Sequence, residues 1–182
     1  MNYKVYVISA NRYEDLPFDK QQKEKYIFCV KNGQKELYEE NGCKEVYNTG
    51  NLMDSRNFAL DHAFKNNNIC IQLSDDIKKV TLNKNFFEKK IIPLDEAIND
   101  IAKKFDKING VYLMGVPPTD NFFFANKLVI ENKFCIGDML FVKPSELRFD
   151  SQLSLKEDYD FTLQHIQKAK VLRYQKYLFS FQ

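Results

Sequence analysis

Long apolar runs are missing from this sequence, and their absence argues against a membrane-spanning helix. No apolar stretch approaches the roughly 20 residues that a helix needs to cross a bilayer. Residues 1–4 lead directly into a strand-like pattern, unlike a signal peptide. We therefore expect a soluble, cytoplasmic protein without membrane contact. Repeats and low-complexity linkers are also missing, so the 182 residues, 44% of them hydrophobic, favour a single domain over 1–182.

Cysteine, histidine and net charge are also too low or too scattered to identify a function. The four cysteines show no CxxC spacing, which predicts reduced, mostly buried thiols and neither a disulfide nor a zinc framework. Only His62 and His165 are present, and neither lies in a nucleophile motif, so Ser-His-Asp and Cys-His catalysis are disfavoured. A formal charge of +2 gives no strong global field, so any contact with nucleic acid depends on local patches.

The first half of the chain alternates short strand-like segments with helical ones. The strand-like segments are 5–8, 26–30, 45–47 and 69–73. Strands that alternate with helices form parallel sheets, and ligands bind beyond the carboxyl ends of such strands. We therefore expect an α/β fold with a mixed, mostly parallel sheet flanked by helices. Its ligand crevice should lie where four loops converge, namely those after Ile8, Val30, Tyr47 and Leu73.

Capping and turn signals predict further elements along the chain. Asp54 or Ser55 is placed to cap a helix after the third strand, and Pro93 is placed to open another. Residues 127–130 and 134–142 predict a hairpin around 131–133. The aromatic triplet at 122–124 either packs in the core or lines a groove for an acceptor.

Two groups of adjacent carboxylates are the most informative feature. Asp75 and Asp76 end the fourth strand-like segment, and Glu157 and Asp158 stand at the start of a late helix. The ordinary alternatives are a turn with solvated side chains for the first pair and an N-cap at Asp158 for the second. A parallel sheet could instead bring both groups to one crevice. Paired anions there would need a cation or a ligand to compensate their charge.

Four motifs, in their order and spacing, resemble the GT-A-fold glycosyltransferases. They are the Ser9-Ala10-Asn11-Arg12 loop, the Asp54-Ser55-Arg56-Asn57 helix start, the Ser74-Asp75-Asp76 strand end and the Glu157-Asp158-Tyr159-Asp160 helix start. Together they span nearly the whole chain. Within this superfamily the chain is most similar to the TET/JBP-associated glycosyltransferases of phages and related elements. The segments that carry this closer similarity are the Arg-Asn helix start, Gly137-Asp138-Met139-Leu140-Phe141 and the Glu-Asp-Tyr-Asp-Phe run.

The resemblance implies a GT-A-like, Rossmann-like fold and a hexosyl transfer from a nucleotide sugar. The expected donor is a UDP-sugar, the acceptor is a hydroxymethylated pyrimidine in DNA, and the cofactor is Mn²⁺ or Mg²⁺. By position, Asp158 matches the catalytic base of inverting members, with Glu157 as the second choice. Asp76 matches the metal ligand, whereas for Asp75 beside it a metal ligand, a ribose ligand and neither role all stay open. The residues that match donor contacts are Ser9, Ala10, Asn11, Arg12, Arg56, Asn57 and Asp75.

A basic stretch follows the proposed catalytic helix. Its members are Lys168, Lys170, Arg173 and Lys176. We expect Lys170 and Arg173 to contact a phosphate backbone while a flipped base enters the crevice. The ordinary alternative for such a lysine series is a solvated face.

Two departures from the family pattern leave other functions open. Ser74 stands where many relatives have the first Asp of an Asp-x-Asp motif, and the chain ends at Gln182, without the segment that supplies a lid and a further metal ligand in many GT-A enzymes. The alternatives are transfer to a saccharide or protein, a nucleotidyltransferase, and a non-catalytic module that binds nucleotide sugars or DNA. A nucleotidyltransferase is disfavoured because the loop at 9–12 contains no glycine.

Overall fold

The computed structural model describes residues 1–83, 89–117, 119, 121, 125, 127–153 and 155–181. Its strands are β1 (Tyr3–Ser9), β2 (Ile27–Val30), β3 (Glu45–Asn48), β4 (Ile69–Ser74), β5 (Ile77–Asn83), β6 (Lys89–Ile92), β7 (Val111–Gly115), β8 (Val129–Glu131), β9 (Met139–Val142), β10 (Lys170–Tyr174) and β11 (Tyr177–Phe181). Its helices are α1 (Lys20–Lys25), α2 (Lys35–Glu40), α3 (Leu52–Phe64), α4 (Leu94–Asp106) and α5 (Glu157–Lys168). The aromatic triplet at 122–124 lies outside the described residues.

An eight-stranded sheet forms the centre of the fold, in the order β3-β2-β1-β4-β9-β7-β10-β8. Strands β1 to β4 are parallel to their neighbours within this group, and β10 is parallel to β7. Only β9 and β8 run antiparallel to the strands that they pair with. The predicted α/β class with a mostly parallel sheet flanked by helices is therefore confirmed. The chain passes from β1 to β2 and β3 on one side of β1, and then to β4 on the other side. The order in which strands join the sheet therefore reverses at β1.

Two hydrophobic clusters fill the space on either side of this sheet. Helix α4 packs into one of them through residues at helical spacing, which are Ala97, Ile98, Ile101, Ala102 and Phe105. Helices α3 and α5 contribute Ala59, Leu60 and Phe161 to the other. Every residue of β2 is buried, as expected for a central parallel strand that is covered on both faces. The four cysteines are free and buried, which confirms that prediction.

The predicted hairpin between 127–130 and 134–142 is wrong. Strand β8 pairs with β10, whereas β9 lies between β4 and β7. The alternating pattern identified strand-forming residues correctly, but their partners are distant in sequence, which a local pattern does not reveal. A separate three-stranded sheet, in the order β11-β5-β6, was not predicted either.

The predicted cap of α3 is also wrong in position. Asn51 caps this helix, because its side chain accepts a hydrogen bond from Asp54 N at 3.0 Å and Asp54 Oδ2 accepts from Asn51 N at 3.3 Å. Asp54 is thus the third residue of a capping box rather than the cap. Among the described residues, no helix combines the length and the apolar composition that crossing a membrane requires.

Candidate functional site

A cleft of about 650 Å³ lies at the carboxyl ends of β1, β2 and β3. The end of β1 and its following loop form one wall through Ile8, Ser9, Ala10 and Asn11. The loops after β2 and β3 and the start of α3 complete it, with Lys31, Asn32, Gly50, Asn51, Leu52, Asp54 and Ser55. Three of the four predicted loops therefore converge, and the size suits a small-molecule ligand. This position next to β1 is where ligands bind in open α/β sheets.

The expected donor residues fall into two groups. Ser9, Ala10 and Asn11 line the cleft, whereas Arg12, Arg56, Asn57 and Asp75 are not part of its described lining. Asn11 adopts a left-handed backbone (φ 62°), and its amide group and backbone N–H both bond to Gln34.

Asp75 is linked to the cleft wall through Ser9. The Ser9 hydroxyl donates to Asp75 Oδ2 and lies 2.6 Å from the Tyr38 hydroxyl, so Tyr38 donates to Ser9 in this chain of hydrogen bonds. Burial raises the pKa of Asp75, the Ser9 hydrogen bond lowers it, and the charge of Asp76 raises it further. Asp75 is therefore a fixed, buried carboxylate directly behind the cleft.

Asp76 is more exposed than Asp75 and pairs with Arg12. Its Oδ1 lies 2.8 Å from Arg12 Nη1, and both side chains are partly exposed. The backbone N–H of Asp76 donates to the Ser74 hydroxyl at 3.3 Å. The Ser74 hydroxyl thus orders the turn that presents Asp76.

The turn at Gly137 and Asp138, just before β9, joins the two groups of carboxylates. Ser74 N donates to Asp138 O at 2.8 Å, and Gly137 N donates to Asp158 Oδ2 at 2.9 Å. The end of β4 and the start of α5 are therefore held on either side of one turn. Both acidic groups therefore flank one turn, but Asp76 and Asp158 are not part of the described lining of the cleft, so a shared crevice stays a prediction.

Asp138 is the site residue that sequence reasoning missed. Burial raises its pKa, the charge of Arg56 lowers it, and the charges of Asp76 and Asp158 raise it. Asp138 therefore lies close enough to both acidic groups for their charges to raise its pKa. The only signal in the sequence was the Gly-Asp pair before a strand, and its meaning depends on β9 pairing with β4.

Asp158 is the second residue of α5, so the alternative that it is the N-cap of this helix is wrong. Lys156 holds the cap position with a left-handed backbone (φ 60°) and no side-chain cap bond. The Oδ1 atom of Asp158 accepts from Tyr159 N at 2.9 Å, and the side chain is partly exposed. Glu157, by contrast, is buried and lies 3.4 Å from Arg56 Nη2.

Arg56 and Asn57 bind other parts of the protein rather than the cleft. Arg56 Nη1 donates to Gln72 Oε1 and to Gly137 O, each at 3.1 Å, and only 6% of the residue is exposed. The side chain of Asn57 exchanges two hydrogen bonds with the backbone of Phe149, at 2.8 and 2.9 Å. These positions therefore give no support to the expectation that Arg56 and Asn57 contact the donor.

The basic stretch does not form one patch. Its lysines pair with three different carboxylates, in the pairs Lys168–Glu146, Lys170–Glu131 and Lys176–Asp100. Arg173 is half-buried in β10. A DNA contact through Lys170 and Arg173 stays a prediction.

An exposed aromatic pair lies next to Asp158. The rings of Phe134 and Tyr159 are 4.7 Å apart, and each residue is 44% exposed. Leu163, one turn further along α5, is also exposed. Exposed apolar groups beside a polar site commonly mark a surface that binds a ligand or partner.

The part of the chain that the structure describes contains no group of three or more His, Cys, Asp or Glu side chains that could hold a metal ion. Asp76 and Asp138 nevertheless interact unfavourably as like charges. A divalent cation would relieve that repulsion, and hard oxygen ligands suit Mg²⁺ or Mn²⁺. Two carboxylates fit such an ion only if a ligand brings further oxygen atoms.

No protein-family model matches this chain, and no curated protein is significantly similar to it in sequence.

Proposed function

We propose that this protein is a glycosyltransferase with a GT-A-like fold that uses a nucleotide sugar, with a UDP-sugar as the expected donor. The observation that carries the proposal is the convergence of two acidic groups around Asp138, next to a cleft at the reversal point of a mostly parallel sheet. Ser9 lines the cleft and bonds to Asp75, so one carboxylate of the first acidic group borders the cleft directly.

The cleft supports binding of a nucleoside. Its walls carry the amides of Asn11, Asn32 and Asn51 together with the apolar side chains of Ile8 and Leu52. Small-molecule sites typically combine an apolar lining with a few polar groups that orient the ligand. We place the diphosphate at the end of the cleft nearest Asp75 and Asp76.

A divalent cation fits this arrangement if the donor completes its coordination. Asp76 and Asp138 would hold the ion, and the diphosphate of the donor would supply the remaining oxygen ligands. When bound, the ion neutralises the negative charge that develops on the leaving diphosphate. The Arg12 side chain, which pairs with Asp76, is placed to bind the same phosphates.

Asp158 is our choice for the catalytic base. The acceptor hydroxyl attacks the anomeric carbon, the bond from that carbon to the diphosphate breaks, and Asp158 takes the hydroxyl proton. Asp158 is partly exposed, whereas Glu157 is buried and paired with Arg56. This difference in access favours Asp158 over Glu157.

The acceptor that we propose is a hydroxymethylated pyrimidine in DNA. Phe134 and Tyr159 offer an exposed aromatic surface beside Asp158, and aromatic side chains stack on extruded or single-stranded bases. Lys133 directly precedes Phe134, Lys156 lies three residues before Tyr159, and both lysines are exposed. Transfer to a saccharide or protein is the alternative within the same activity.

A non-catalytic module that binds nucleotide sugars is the second candidate. Arg12 already compensates the charge of Asp76, and the described residues contain no complete set of metal ligands. These two facts favour binding without turnover.

A panel of nucleotide sugars tests the proposal. Thermal shift with and without Mn²⁺ identifies the donor, and release of the nucleoside diphosphate and free sugar then separates a transferase from a binder. We expect a metal-dependent shift together with slow hydrolysis of the same donor. A shift without hydrolysis or transfer would favour the binding module.

A further inference from the structure

Arg56 is the most deeply buried cation near the carboxylates. It belongs to α3, and it contacts Gln72 in β4, Gly137 before β9 and Glu157 at the start of α5. Gln72 returns the contact, because its Nε2 donates to Arg56 O at 2.8 Å. The guanidinium also lies 5.2 Å from the centre of the Phe149 ring. One side chain therefore connects the elements that carry all the proposed site carboxylates.

Gly137 is held from both ends. Its carbonyl oxygen accepts from Arg56 Nη1, and its N–H donates to Asp158 Oδ2. The next residue, Asp138, is fixed in turn because its carbonyl oxygen accepts from Ser74 N. Movement of the guanidinium would therefore shift the Gly137 peptide units on which the positions of Asp138 and Asp158 depend.

Gly137 is also matched sterically to Arg56. A Cβ atom at this position would overlap with Arg56 Nη2. Gly137 does not adopt a positive φ, so backbone conformation does not require a glycine here. The Arg56 guanidinium therefore occupies the space that a side chain at position 137 would need.

We propose that Arg56 is a positioning residue that holds Asp138 and Asp158 in register and does not contact the donor. The family resemblance implies that Arg56 contacts the donor, and such a contact would need an exposed guanidinium. Arg56 is only 6% exposed, however, and Glu157 covers its Nη2 atom. The inference deepens the proposed function and rests on it for its kinetic test.

The two roles of Arg56 predict different kinetics. Loss of a direct donor contact weakens donor binding even without metal, whereas loss of positioning lowers kcat and leaves the donor Kd measured without metal almost unchanged. A displacement of about 1 Å at a reacting group can cost on the order of 100-fold in rate. We therefore expect Arg56→Lys to lower kcat by roughly 10- to 100-fold, with a change in the donor Kd without metal below about 3-fold.

Gly137→Ala perturbs the same contact from the other side, because it leaves Arg56 in the chain but displaces its guanidinium. We expect a similar loss of kcat, and the double variant Arg56→Lys/Gly137→Ala should lose less than the product of the two single effects. Arg148→Lys is the matched control. Arg148 also forms an ion pair and lies over an aromatic ring, but with Asp61 and Phe64 away from the carboxylates, so this variant should keep the wild-type kcat.

The experiment combines donor turnover, donor binding by calorimetry and hydrogen exchange of the Gly137 amide. The exchange measurement needs no activity. Arg56→Lys should speed exchange of this amide, whose acceptor is Asp158, whereas Arg148→Lys should not. If wild type turns over no nucleotide sugar, the proposed transferase fails, but faster exchange would still support positioning. The proposal is overturned if exchange and kcat are unchanged in Arg56→Lys, or if this variant loses donor affinity measured without metal while Gly137→Ala behaves as wild type.

Discussion

At the scale of single residues, the ionised side chain of Asp138 lowers the free energy of unfolding. Burial and the nearby charges of Asp76 and Asp158 raise its pKa, and the opposing effect of Arg56 does not cancel them. The folded protein therefore binds a proton at Asp138 more tightly than the unfolded chain does. Stability from this group is complete at low pH and is lost as the pH rises through the raised pKa. A site that retains such a cost is typical of function rather than of folding.

Asp138→Asn removes the charge and keeps the size of the side chain. We expect the midpoint of thermal unfolding to rise by a few degrees at pH 7, and the gain to vanish as the pH falls below the ordinary aspartate pKa of about 4. Calorimetric melting at several pH values measures this. Asp15→Asn, at an exposed position, is the control and should show no gain. A loss of stability at pH 7 in Asp138→Asn would contradict the assignment.

Asp158→Asn tests the catalytic base. We expect donor affinity to stay unchanged while turnover falls by roughly 10²- to 10⁴-fold, the usual contribution of a general base. Because Lys156 and not Asp158 holds the cap position, the fold should stay intact. Asp160→Asn is the matched control, since Asp160 lies in the same first turn but bonds to Gln164. Near-wild-type turnover in Asp158→Asn would remove it from this role.

At the scale of elements, α5 carries both the proposed base and half of the exposed aromatic pair. The sequence identified the acidic start of this helix and the four parallel strands, because capping, loop and strand patterns are local. It did not reveal that β9 enters the sheet between β4 and β7, since that pairing joins residues distant in the chain. Asp138 and the buried contacts of Arg56 were missed for the same reason. Both depend on contacts across this insertion.

Tyr159→Ala tests whether this element binds the acceptor. We expect the acceptor KM to rise by roughly 10-fold, since stacking of a base on an aromatic ring contributes about 1–3 kcal/mol. Donor Kd should not change. Tyr112→Ala is matched to it, because Tyr112 is 43% exposed but lies at the start of β7. Equal KM values for the two variants would show that the aromatic pair does not bind the acceptor.

At the scale of the whole molecule, the strand order reverses at β1, and the cleft available to a ligand lies at this point. The loops after β1, β2 and β3 border the cleft, and β4 delivers the carboxylates to its edge. This much follows from an alternation of strands and helices and could be predicted. The predicted DNA contact gains no such support, because the lysines of the basic stretch at 168–176 are divided among separate ion pairs.

Metal dependence of donor binding is a property of this complete site. A UDP-sugar should stabilise the protein more with Mn²⁺ present than without it. A ligand that binds the folded state with a lower Kd raises the free energy of unfolding by more at the same concentration. Asp76→Ala should abolish the difference, and Asp61→Ala, on the outer surface of α3, should keep it. Thermal shift with calorimetry measures both. Full metal dependence in Asp76→Ala would assign the ion to other residues.

Mass spectrometry of hydroxymethylated DNA, after incubation with a UDP-sugar and Mn²⁺, tests the central claim most directly. The account predicts a glycosylated nucleoside with wild-type protein and with Asp160→Asn, and almost none with Asp158→Asn. A modified saccharide or protein in place of DNA would keep the transferase and change its acceptor. The absence of any glycosylated product, with every donor left intact, would contradict the account.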